Sequence, residues 1–117
     1  MKKIISCFLI AASSIVWAQT GINTENPKAT LDITAKKDIL TIDGLLAPRL
    51  TRSELTDKGN TLYGTEQDGI IIYINDVSGG DRQSQREYIE GKGLYIFDAE
   101  AANNEGRWMC LFCYAFA

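Results

Sequence analysis

Two runs of β-branched and aromatic residues, Ile70-Ile71-Ile72-Tyr73-Ile74 and Gly93-Leu94-Tyr95-Ile96-Phe97-Asp98, are the only stretches after residue 19 apolar enough to seed a sheet. Such side chains fit a pleated surface and crowd a helix, so the chain is committed to strands. An unbroken apolar run is the pattern of a strand covered on both faces, which places Ile70, Ile72, Tyr73, Leu94, Ile96 and Phe97 in the core. Arg107 to Phe116 reads as the last strand. It would pair antiparallel with 94–97 across a loop at 99–106 that turns at Asn103-Asn104-Glu105-Gly106.

The remainder is short alternations separated by Gly, Pro, Asn and Asp. Thr30-Leu31-Asp32-Ile33-Thr34 alternates with period two after Glu25-Asn26-Pro27, and reads as a half-buried strand. Ile39 to Ile42 and Leu45-Leu46-Ala47 flank Asp43-Gly44, a hairpin signal, and Pro48 is expected to end that pairing. Thr51-Arg52-Ser53-Glu54 matches a capping box, so a short helix is expected over 52–58, stopped by Gly59. Residues 75–93 are polar and rich in Gly and Gln apart from Val77, Tyr88 and Ile89, and read as a long mobile loop or a poorly formed excursion. No internal repeat is visible. The fold class is therefore mainly β: a small antiparallel domain over 19–117 with one short helix near 52–58.

The first eighteen residues, MKKIISCFLIAASSIVWA, have the three parts of an export signal: Lys2 and Lys3, an apolar stretch from Ile4 to Val16, and a small-residue site that places cleavage between Ala18 and Gln19. A membrane anchor is the competing reading. A spanning helix needs about 20 apolar residues, and this run is shorter and broken by Ser6, Ser13 and Ser14. Cys7 lies too close to the lysines for a lipidation site. The mature chain is thus expected in the periplasm, on the outer cell surface or outside the cell, with no membrane span after cleavage.

Lys2 and Lys3 leave with the signal, so ten basic residues remain against fifteen acidic ones, a net charge of −5. This balance repels phosphate backbones and excludes nucleic acid as a natural partner. The chain has no histidine. Ser-His-Asp and Cys-His catalysis and His-bearing zinc sites are therefore ruled out.

A series of short elements carries a family resemblance. Gly21-Ile22-Asn23-Thr24-Glu25-Asn26-Pro27-Lys28-Ala29-Thr30-Leu31-Asp32-Ile33 resembles the "VGIGT-x-x-P-x-A-x-LDV" segment of phage tail-fibre-like proteins and of many secreted surface proteins of Gram-negative bacteria. Gly44 to Thr51 is similar to their "PRLT" element. Gly69 to Tyr73, Gly93 to Asp98 and Trp108 resemble their "GxxxY" and "GxYxFDGxxW" elements. Two departures stand out: Asp98 is followed by Ala99-Glu100-Ala101-Ala102 where those proteins have glycine, and the apolar end after Trp108 matches nothing in the pattern. The resemblance implies a structural or adhesive surface or appendage component without enzymatic activity, often trimeric, with a second copy or other surface proteins as partners. It carries over no catalytic, metal or cofactor residue.

Few residues stand out as chemistry. Cys110 and Cys113 are the only cysteines left after cleavage, and a disulfide between them is permitted in an oxidising compartment. On an extended strand, residues three apart point to opposite faces, so bridging them needs a turn. A redox pair is disfavoured because the flanks are strand-like, and half a zinc site because no second pair exists. Asn75 to Asp81 offers oxygen atoms for Ca²⁺ but lacks a closing bidentate glutamate, so a solvated turn is the simpler reading. Trp108, Tyr95 and Phe97 suit either a sugar-stacking surface or a core, and a core is commoner. The rival functions are a carbohydrate- or peptide-binding module, marked by an exposed aromatic row, and a two-carboxylate hydrolase, marked by two acids converging in a cleft.

Overall fold

The computed structural model describes residues 19–114. The export signal with Ala18, and the end beyond Tyr114, lie outside the described residues; Gln19 is the first of them and is exposed. The chain divides between Gly44 and Leu45 into two compact units, and each is taken by itself.

In the first unit β1 (Thr20–Ile22) pairs in parallel with β2 (Leu31–Ile33), with Ile22 beside Ile33. Asn23 takes a positive φ, and the Asp32 carboxylate accepts the Lys28 N–H at 2.8 Å, bending the connection back on itself. The strand expected at 30–34 is present but exposed rather than half-buried. The Asp43-Gly44 hairpin does not form. The Asp43 carboxylate instead accepts the N–H groups of Lys36 and Lys37 at 2.9 and 3.0 Å, which holds a turn upstream of the expected one.

The second unit is a four-stranded sheet in the order β3-β4-β5-β6, formed by β3 (Arg49–Thr51), β4 (Ile71–Asp76), β5 (Lys92–Asp98) and β6 (Arg107–Tyr114). β5-β6 is antiparallel, as the sequence suggests, and so is β4-β5, but β3 runs parallel to β4. Pro48 introduces β3 instead of ending a pairing, because proline lacks a donor but keeps its acceptor: its carbonyl takes the Tyr73 N–H at 2.9 Å.

Between β3 and β4 lies α1 (Arg52–Asp57). Its capping box is complete, with Glu54 N–H donating to Thr51 Oγ1 and Thr51 N–H to Glu54 Oε1, both at 3.0 Å. These bonds hold Glu54 below its ordinary carboxyl pKa. The helix brings Leu55 onto the sheet, where it is buried. Between β5 and β6, α2 (Ala101–Asn104) is a single turn with left-handed backbone at Ala102 and Asn103.

The core cluster comprises Leu55, Ile72, Ile74, Ile89, Tyr95, Phe97, Ala99 and Trp108, with Leu50, Tyr63, Val77 and Cys113 packed against it. Of the six residues expected inside, only Ile72 and Phe97 are buried. Alternation along β4 and β5 sends Ile71, Tyr73, Leu94 and Ile96 to the other face, and Ile70 precedes β4 and is exposed.

The segment 75–93, read as a loop, carries a 3₁₀ turn at Ser84–Arg86 and buries Gln85, Arg86 and Ile89. Its polar residues hide this role, because the segment is anchored by hydrogen bonds to carbonyls. Arg52 donates to the carbonyls of Val77, Gly79 and Ile89 at 2.5, 2.9 and 3.0 Å. Arg86 donates to Gly59 O at 3.0 Å and its side chain is 4% exposed. The approach is close: a Cβ on Gly80, whose φ is +75°, would stand 2.7 Å from Arg52 O. The result is a cover of helix and loop over one face of the sheet.

Candidate functional site

Among the described residues the opposite face of the sheet has no such cover. Register places Arg49, Tyr73, Leu94 and Phe112 across the four strands, and Ile71, Ile96 and Met109 across three, all on this side. Ile71 keeps 44% of its surface in solvent, Met109 38% and Phe112 69%; Tyr73, Leu94 and Ile96 are half-buried. Leu45, Leu46 and Ala47 extend the face, and with Arg49, Tyr73 and Leu94 they line an open cleft of about 400 Å³. Isolated exposed apolar residues are ordinary, but a contiguous patch on a sheet marks an interaction surface.

Phe112 reaches this face through a β-bulge. Tyr95 pairs with Cys110 and Leu94 with Phe112, so Leu111 is the extra residue of β6. The inserted residue shifts the alternation and sends Cys110 and Cys113 to the same side of the strand. They form a disulfide there, with Cα atoms 5.9 Å apart. The turn that the sequence requires for such a bridge is thus supplied by a bulge inside a strand, opposite Gly93. Gly93 has φ +148°, and a Cβ there would collide with the backbone of Cys113.

The other sequence candidates are absorbed by the fold. Asp76 accepts the Ser78 N–H at 2.7 Å, which lowers its pKa. Burial pushes the Asp81 carboxyl up, but the Gln83 N–H and the Arg86 guanidinium outweigh it and leave the pKa lowered. Both carboxylates are therefore occupied by their own turn. No group of three or more Cys, Asp or Glu side chains placed to hold a metal ion occurs among the described residues.

Trp108, Tyr95 and Phe97 lie on the covered face and are fully buried. The Tyr63 ring meets Trp108 edge-on at 4.9 Å, and Phe97 stands 5.1 Å from Trp108. Tyr95 donates its hydroxyl to Gly91 O at 2.6 Å, and burial raises its pKa and keeps it neutral. On the open face Leu94 separates Tyr73 from Phe112, so the exposed rings do not form a row. Among the described residues no helix is long and apolar enough to cross a membrane.

Sequence reasoning missed the open face because a run apolar at every position does not announce which side is covered. The usable signal was the absence of a second amphipathic element: 52–58 supplies one helix, enough for one face.

A family of phage tail like trimerisation regions matches residues 21–112, and the chain belongs to that family. No curated protein and no solved structure matches it. The membership supports the tail-fibre-like reading of the chain, and the matched residues fall in both units.

Proposed function

We propose that this protein is a non-catalytic structural component of a bacterial surface assembly or appendage, exported by its N-terminal signal, and that three copies associate through the open face of the four-stranded sheet. The observation that carries the reading is that face, apolar and uncovered in the single chain, in a member of a family described by trimerisation. Fully burying an exposed Ile, Leu or Met contributes roughly 1.5–3 kcal/mol, and the partly exposed residues of this face contribute the share of that still in solvent, set against the cost of association. Adhesion fits the same placement, with the assembled trimer presenting the rest of its surface outward.

Light scattering at micromolar concentration tests the assembly, and the expected mass is that of three chains. Ile96→Asp places a charge in the centre of the open face and should give a single-chain mass with an unchanged circular dichroism spectrum. A single-chain mass for the wild type overturns the reading. Mass spectrometry of exported protein should find Gln19, or its cyclised form, at the N-terminus; an intact Met1 outside the cytoplasm would remove the export claim.

A further inference from the structure

The described residues of the first unit have secondary structure but no core. No residue from 19 to 44 is buried. Ile22, Leu31 and Ile33 line one side of the β1-β2 pair, at 46%, 52% and 38% exposure, and Ile39, Leu40 and Ile42 downstream are almost wholly in solvent. What holds the unit together is hydrogen bonding in water: Thr20 N–H to Thr30 O at 2.7 Å, Thr34 N–H to Ile22 O at 2.9 Å, and the exposed Asp32 and Asp43 turns. Solvent-exposed hydrogen bonds add little net stability, and a two-stranded sheet is marginal alone.

The topology sharpens the problem. Parallel strands are normally joined by a crossover of a dozen or more residues that packs on the sheet and covers it. Here only residues 23–30 intervene, and they fold over the Gly21 and Asp32 side, where a Cβ on Gly21 would collide with Thr24 O. The Ile22, Leu31 and Ile33 side stays open, so the pair is one turn of a coil that advances eleven residues from Thr20 to Leu31. A coil turn of this kind cannot bury its own apolar side, and becomes stable only when further turns or copies pack against it. Among the described residues no further turn of this coil occurs.

Resting on the trimer reading above, we infer that residues 20–42 become ordered by assembly, with the Ile22, Leu31 and Ile33 faces of three copies meeting to make the core that each lacks. The occupant is another copy of this chain, for two reasons. The trimerisation region begins at residue 21 and so includes this unit. The apolar side carries no charge, since its fourth member is Thr20, while Asp32 points to the other side and is tied to Lys28 N–H, so three copies meet without like-charge repulsion.

Amide hydrogen exchange read beside the mass decides this. In wild-type protein of three-chain mass, the Thr20 and Thr34 amides should exchange at least roughly tenfold more slowly than in an unstructured chain. Ile33→Asp should abolish that protection and leave protection in 71–76 and 92–98 intact. A three-chain mass with these two amides unprotected, or with protection that Ile33→Asp does not change, overturns this inference and leaves the trimer standing. A single-chain mass overturns the trimer reading itself, and continued protection of Thr20 and Thr34 in that single chain would show that the unit orders without partners.

Discussion

On one side of the four-stranded sheet Ile72, Ile74, Tyr95, Phe97 and Trp108 are at most 3% exposed; on the other, the adjacent residues of the same strands, Ile71 and Met109, keep 44% and 38%. The residue types are nearly interchangeable, so hydrophobicity does not separate the two sides. What separates them is a lid: α1 with Leu55, and the 77–91 segment with Ile89, both held by arginines bonded to backbone carbonyls. A strand is symmetrical in what it offers, and its core face is chosen by the element that covers it. The uncovered side is the one that the proposed trimer would bury.

The strongest way to break this contrast is to truncate one residue on each side. Trp108→Ala removes the largest buried side chain and should cost about 3–5 kcal/mol, whereas Met109→Ala, its neighbour in β6, should cost under about 1 kcal/mol in the dissociated chain. Denaturant titration of the two variants checks it, and equal losses would mean that both faces are core.

The lid is tested next. Arg52→Met keeps the apolar stem but leaves the carbonyls of Val77, Gly79 and Ile89 without their donor, and should cost about 2–3 kcal/mol. Faster amide exchange in 77–91, with β5-β6 protection retained, would locate the loss in the cover instead of the sheet.

The smallest effect is in acid. Asp81 titrates below its ordinary value of 3.8 when folded, so its contribution is fully present above about pH 4 and is lost as pH falls through the depressed folded value. Asp81→Asn should flatten the acid limb of the stability profile and leave the neutral limb in place. An unchanged acid limb would show that the Asp81–Arg86 contact does not hold the lid.

Local signals were legible wherever one residue's chemistry decides the structure. Thr51 and Glu54 define a helix start because each satisfies the other's backbone amide, and Asn103 to Gly106 mark a turn between two strands that are contiguous in sequence. Signals failed where the decision lay with a distant partner. Pro48 reads as a stop but opens a parallel strand, because its carbonyl meets Tyr73 N–H across the sheet. The Cys110–Cys113 bridge depends on a bulge at Leu111, and nothing within β6 distinguishes that residue from its neighbours.

By itself the sequence determined that this chain makes strands, that α1 begins at Thr51, that β5 and β6 form a hairpin, and that imidazole chemistry is absent. Those outcomes follow from side-chain shape, capping groups and composition, which act over a few residues. Only the tertiary structure decided which side of each strand is core, that polar residues 77–91 form a lid, and that residues 19–44 have none. Burial depends on what else occupies the space, a property of the packed chain and, for the open faces, of the proposed assembly.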